Sequence, residues 1–371
     1  MQPIWHEGTG HRVTTEKLIF TPSKVDHDHR KVEAYLAGER IYPTTMEMDL
    51  SQLCSRSCPE CPYGVSRAAG ASLTLPFLDR MFGILGPHTP GVVFSGGEPT
   101  IFPHLTEVLR LARAKGFKEI CVISNGAAID QPAVQDALLR YATAIRISQY
   151  EWQEGESPHF LRTLENIQKL RERIDAENSP LEIGAAMLTR SELNHRYLPV
   201  GLRVLQAGIH WLYFHPYCID WQEKRPRQAD QTGVLETIEE FKAAAPAGAN
   251  IQVPYARYSR EPLRFEKLHG SHFLLQVGAD GVVYAGPECK YEKDYALLDL
   301  NESMPDDFLW HPRRMEKLER INSDNFRLIG TKHRPVVFSD YIQKVIDSRT
   351  GVSREAAPSA GREKFAYPHV I

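Results

Sequence analysis

Between about residue 44 and residue 220, short apolar runs alternate with stretches whose apolar residues recur at helical spacing. No other feature constrains the fold as much. Strands separated by helices pair in parallel, because a parallel pair needs a crossover and a helix supplies it. The candidate strands are Thr45–Leu50, Gly91–Phe94, Ile120–Ile123, Ala144–Ile147, Leu181–Met187 and Trp211–Phe214. Leu105 to Ala112 exemplifies the helical pattern between them. Beyond about residue 230 the pattern changes to a helix, Val234 to Ala245, and then short strands. Phe273 to Tyr284 reads as a hairpin, with Ala279-Asp280-Gly281 supplying the turn. The expected class is α/β, a parallel βα sheet followed by a small α+β extension.

The cysteines are the next constraint. Cys54, Cys58 and Cys61 lie within eight residues, just after the first predicted strand. Three thiolates on one short loop can hold three irons of a cubic [4Fe–4S] cluster. No fourth cysteine is near, so one iron would stay open to an outside molecule, as in a catalytic rather than a structural metal site. The competing reading is a zinc knot, since Cys58-x-x-Cys61 is a zinc half-site. Cys121, Cys218 and Cys289 are single and offer no second half-site. Six cysteines in 371 residues are no disulfide scaffold, which points to a reducing cytoplasm. The net charge of −3 argues against a basic nucleic-acid surface. No signal peptide and no apolar run long enough to span a bilayer is present, so no membrane partner is expected.

The spacing Cys-x3-Cys-x2-Cys, followed by Gly96-Gly97-Glu98-Pro99 after the run Gly91–Phe94, resembles the radical S-adenosylmethionine (radical SAM) superfamily. That resemblance implies a partial (β/α)6 TIM-like barrel with its site at the C-terminal strand ends. It implies one [4Fe–4S] cluster on Cys54, Cys58 and Cys61, with SAM as the other cofactor. It also implies a 5′-deoxyadenosyl radical that abstracts hydrogen, and an electron donor such as flavodoxin or ferredoxin. The position before the third cysteine, aromatic in many members, is Glu60 here; Tyr63 is the candidate for the adenine contact. Gly96 and Gly97 would approach SAM closely, and Glu98 would accept from its ammonium group. The plainer reading of these three is a strand-to-helix turn. Ser148, at the fourth strand end, would contact the ribose, and Asn125, at the third, faces the same mouth.

The hairpin resembles that of SPASM and twitch extensions, but only Cys289 follows it, so a remnant without a second cluster is expected. Cys289 has three readings: core residue, auxiliary ligand or hydrogen donor. Cys218 is a further candidate. His215, Tyr217, Asp220, Tyr255, Arg257, Tyr258, Arg260 and Glu288 form a polar set near the expected mouth. Arg257 and Arg260 would suit an anionic group.

The expected organisation is an N-terminal extension over 1–43, a barrel over 44–230, a substrate-covering SPASM/twitch-like region over 231–350 and a flexible tail over 351–371. In the N-terminal extension the Asp/His run Val25 to Arg30 reads as a solvated segment. The expected function is hydrogen abstraction from a polar small molecule, such as a sugar, aminoglycoside or nucleoside of natural-product assembly. Epimerisation, dehydration or oxidation would follow. The alternatives are a SPASM-type peptide-modifying enzyme and, from another class, a non-catalytic zinc or iron–sulfur module.

Overall fold

The computed structural model describes residues 24–25, 28–58, 61–63, 70–150, 157–351 and 369–370. Glu60, Asp26, His27 and residues 352–368 of the expected tail lie outside them.

After α1 (His29–Leu36), six parallel strands form the centre: β1 (Thr45–Asp49), β2 (Gly91–Ser95), β3 (Glu119–Ser124), β4 (Ala144–Ser148), β5 (Glu182–Thr189) and β6 (Trp211–Pro216). The crossovers carry α2 (Leu75–Leu85), α3 (Leu105–Ala114), α4 (Pro132–Tyr141), α5 (Pro158–Glu177) and α6 (Asn194–Gln206). Local chemistry starts these helices. Ser157 caps α5 by accepting the Phe160 N–H at 3.1 Å, and Pro158 takes the first turn, where no N–H is needed.

Every central strand is nearly all buried, as parallel strands covered by helices must be. Alternate residues serve two different faces. Met46, Met48, Val92 and Phe94 pack into the main core, while Val93, Cys121 and Ala144 form a separate cluster on the opposite face. Glu47, Arg146, Tyr213 and His215 line a cavity on that second face. The sheet is an open, partial barrel.

The remaining elements are β7 (Cys218–Ile219), β8 (Arg227–Gln228), α7 (Val234–Ala244), β9 (Ile251–Gln252), α8 (Tyr255–Tyr258), α9 (Gly270–Phe273), β10 (Leu274–Val277), β11 (Val282–Tyr284), β12 (Ala296–Asp299), α10 (Pro312–Arg320) and α11 (Arg334–Thr350). The hairpin β10–β11 is antiparallel, as its turn chemistry predicts. It does not stand apart from the barrel. β10 pairs in parallel with β1, and β9 pairs with β6, so the sheet runs β12-β11-β10-β1-β2-β3-β4-β5-β6-β9.

Of the segment Val25 to Arg30 read as solvated, Asp28, His29 and Arg30 are exposed, while Val25 is buried with Phe273, Phe338 and Tyr341, the cluster that Val32 of α1 also joins. In the tail, residues 369–370 are docked at the strands' N-terminal ends. Glu119 accepts both their amides, at 2.8 and 2.9 Å, and Lys24 donates to the Val370 carbonyl at 2.5 Å. These bonds satisfy backbone groups that would otherwise be buried unpaired.

Candidate active site

The C-terminal ends of the strands open on one cavity. Its near wall carries Cys54, Cys58 and Cys61, on the loop after β1, beside Gly96, Gly97 and Asn125. All three thiols are half-buried and unbridged. The loop is held by β2. The Gly97 N–H donates to the Ser51 carbonyl at 2.7 Å and the Glu98 N–H to the Leu53 carbonyl at 2.8 Å. A Cβ on Gly97 would sit 1.9 Å from the Leu53 carbonyl oxygen. Gly96 has φ +122, and its Cβ would lie 2.5 Å from the Ser51 carbonyl oxygen. These glycines therefore admit the cysteine loop over β2, and the Gly97 amide is already bonded to that loop.

Glu98 departs from its expected role. Its carboxylate is 1% exposed and is turned into the protein. Oε1 accepts from the Thr100 N–H at 2.9 Å, the Thr100 hydroxyl at 2.6 Å and the Ser124 hydroxyl at 2.8 Å; Oε2 accepts the Asn125 N–H at 2.6 Å. The carboxylate ties the end of β2 to the end of β3, the shaping role that the plainer reading gave it. Asn125 in turn places its Nδ2 3.8 Å from Cys54 Sγ and donates to Ser55 Oγ at 3.1 Å. A donor at a thiolate tunes the metal group that the thiolate holds. Ser148 lines the cavity, as does Tyr63, whose hydroxyl donates to the Pro287 carbonyl.

Of the three readings of Cys289, its surroundings match the core one. It is fully buried in the main core, its Sγ donates to the Gly286 carbonyl at 3.2 Å, and burial raises its thiol well above the usual range. Its neighbours Pro287 and Glu288 line the cavity instead. Besides the three loop thiols, Cys218 reaches the cavity, 3.9 Å from His333 Nε2, with burial pushing its pKa up to about 12. Cys121 faces the small cluster below.

The far wall is charged and buried. Of the polar set read from the sequence, His215, Arg257 and Glu288 line it. Arg260 is exposed, and so is Tyr255, which donates to Glu239 at 2.5 Å. Asp220 pairs with Arg227 at 3.0 Å, Tyr217 lies under Arg190, and Tyr258 bonds Thr189 at 2.8 Å. The sequence reading missed Glu47, Arg146, Tyr150, Tyr213, His333 and Arg334, which all line the cavity. The signal was there for two of them. A charged residue inside an apolar parallel strand, as in Thr45-Met46-Glu47-Met48 or Ala144-Ile145-Arg146-Ile147, must face something polar.

The charges pair across long sequence separations. Lys290 lies 2.5 Å from Asp49 and 3.7 Å from Glu47, and Arg334 bonds Glu47. Burial alone would raise Glu47, but the Arg334 and Lys290 cations hold it below its usual range. Burial opposes the charge on Lys290, yet Asp49 and Glu47 hold it above its usual range. Glu288 meets His333 at 2.8 Å. This network fastens the 287–291 segment and α11 over the cavity.

The donor set fits a [4Fe–4S] cluster: three thiols, one loop, one shared cavity, a polar donor at one sulfur. Among the described residues, no group of three His, Cys, Asp or Glu side chains is placed to hold a single metal ion. Also among them, no helix is long and apolar enough to cross a membrane.

Residues 48–180 match the Radical SAM superfamily. Members of this class use a [4Fe–4S] cluster and SAM. The chain is also similar to the 7,8-dihydro-6-hydroxymethylpterin dimethyltransferase of Methanocaldococcus jannaschii, 34% identical over 84 residues. That match covers 21% of this chain and 16% of the relative's length. Among solved structures, Streptococcus suis SuiB bound to precursor peptide SuiA overlays with a TM-score of 0.62 at 12% identity, covering 85% of this chain and 80% of that one. Native anSMEcpe with bound AdoMet and Cp18Cys peptide overlays at 0.54 and 13% identity, covering 83% and 98%.

Proposed function

We propose that this chain is a radical SAM enzyme whose substrate is a polar small molecule, such as a sugar, an aminoglycoside or a nucleoside of natural-product assembly. The observation that carries the reading is the continuity of one cavity. It runs from three thiols to a buried wall where both ring nitrogens of His215 lack a hydrogen-bond partner. Buried polar atoms are normally satisfied, so a group that brings its own donors and acceptors suits that wall.

When bound, the [4Fe–4S] cluster and SAM supply a 5′-deoxyadenosyl radical that abstracts a hydrogen atom. In this reading Cys54, Cys58 and Cys61 hold the cluster, and Asn125 orients Cys54. Gly96, Gly97, Ser148 and Tyr63 flank SAM. His333, Arg334 and the Glu288 loop roof the cavity and keep water out, which protects a reactive carbon radical from side reactions. His215, Arg257 and Glu288 fix the substrate so that one C–H bond faces SAM. Loss of hydrogen beside a hydroxyl leads to epimerisation, dehydration or oxidation. A flavodoxin or ferredoxin supplies the electron, and a reducing cytoplasm suits the open site.

A second reading, peptide modification of the SPASM type, draws on the likeness to SuiB and anSMEcpe, both solved with peptides. Against it, the lone thiol after the hairpin, Cys289, is spent in the core. The reconstituted protein should be offered sugars, aminoglycosides, nucleosides and peptides in turn, with 5′-deoxyadenosine release as the readout. Stimulation by a polar small molecule is expected; stimulation by peptides alone would overturn the first reading in favour of the second.

A further inference from the structure

We infer that the far wall of the cavity, built by Arg257, His215 and Arg146, is a subsite for an oxyanion, a carboxylate or phosphate group of the substrate. The inference rests on the enzymatic reading above and names the chemistry of what it binds. Arg257 projects from α8 and is 7% exposed. Its Nε has no partner. Its Nη2 lies 3.4 Å from the Thr331 carbonyl and 3.3 Å from His333 Nδ1. That second contact is poor. The same Nδ1 is 2.8 Å from the Glu288 carboxylate, and a nitrogen that donates there has no lone pair for a guanidinium.

Arg146, on β4, also has an unpartnered buried Nε. Neither arginine has a carboxylate at ion-pair distance among the described residues; burial opposes the Arg257 charge, and Tyr213, Cys218 and Glu288 offset it. The two carboxylates of this wall are committed, Glu47 to Arg334 and Lys290, Glu288 to His333. His215 is 8% exposed and completes the set with two unpartnered ring nitrogens. Burial, and then Arg257 and Arg146, hold its pKa well below the usual value, so it faces the cavity as a neutral ring with one N–H to give.

A buried cation without a carboxylate beside it is costly, which applies to Arg257; Arg146 is half-buried. A planar guanidinium fork and an imidazole N–H match the oxygens of a carboxylate or phosphate. SAM itself carries a carboxylate, and the cysteine loop and this wall line one cavity, so the titration has to separate the two sources.

The test is calorimetric titration of the full-length, anaerobically reconstituted protein with inorganic phosphate and with acetate, each with and without saturating SAM. One of these anions should bind once per chain, and SAM should not displace it. Arg257→Gln should weaken that binding by at least about tenfold, as loss of a charge-assisted bond implies, and leave SAM affinity and iron content unchanged. It should melt close to wild type, because Arg257 has no carboxylate at ion-pair distance to lose. A structural arginine would lower the melting point. If Arg257→Gln does not fold, Arg257→Lys keeps the charge, loses the fork and should show the same weakening.

Absence of binding by both anions would overturn the inference. So would displacement of the anion by SAM, or a variant that loses SAM affinity instead, since the arginine would then serve SAM. Anion binding is read without turnover, so a protein that binds phosphate here and never cleaves SAM would refute the activity and leave the subsite.

Discussion

The Glu98 carboxylate accepts the backbone N–H of Asn125 at 2.6 Å, and the Asn125 side chain reaches Cys54. A residue expected to touch SAM therefore acts on the cysteine loop through its neighbour. Glu98→Ala would strand buried donors on Thr100, Ser124 and Asn125. The expected loss is about 1–3 kcal/mol of stability, the cost of unsatisfied buried donors. Denaturant unfolding of the apoprotein measures it. Unchanged stability with a large loss of SAM affinity would restore direct contact.

Gly97→Ala should lower iron content. Its Cβ would fall 1.9 Å from the Leu53 carbonyl oxygen, which backbone cannot tolerate without moving the loop that leads into Cys54. Iron and sulfide analysis after reconstitution checks this. Wild-type iron content in a folded Gly97→Ala protein would show that the loop has room to shift.

Cys289→Ser should keep wild-type iron content and SAM cleavage while losing stability, because a hydroxyl replaces a thiol inside an apolar core. The loss is roughly 1–3 kcal/mol, the range for burying a poorly paired hydroxyl. Loss of iron in the variant would return Cys289 to the role of ligand, and a shunt product would return it to that of hydrogen donor.

The buried ion network gives stability a pH dependence of known sign. Glu47 titrates below its ordinary 4.5 in the folded protein, so its contribution is complete above that value and is lost as pH falls through the lower folded one. Lys290 titrates above 10.5, so its contribution is complete below that value and is lost as pH rises through the folded one. Glu47→Gln should flatten the acid limb of unfolding free energy against pH, and Lys290→Met the alkaline limb. Lys290→Met should also cost about 3–5 kcal/mol near neutrality, as breaking a buried pair does. Parallel pH profiles for wild type and both variants would contradict this.

Much of the fold was legible because parallel strands buried on both faces write themselves as apolar runs. All six appear where Thr45, Gly91, Ile120, Ala144, Leu181 and Trp211 announced them, within a residue or so. The cysteine loop and its glycine partner were legible because both are contiguous. What stayed hidden depends on contacts across the chain. Glu98 turns inward because β3 brings Ser124 and Asn125 to it. Cys289 and Glu288 point opposite ways within a 3-10 turn that has no readable period. Lys290 and Arg334 find Asp49 and Glu47 only because β10 adds to the β1 edge, a pairing that no local pattern encodes.

The most direct test is SAM cleavage by anaerobically reconstituted protein under reduction, read as 5′-deoxyadenosine and methionine. The expected protein is brown, holds about four irons and four sulfides per chain as a single [4Fe–4S] cluster requires, and releases both products. The triple variant Cys54→Ala, Cys58→Ala, Cys61→Ala should lose colour and cleavage together. A triple variant that still holds the cluster and cleaves SAM, or a wild-type chain that binds one zinc and no iron, would contradict the assignment.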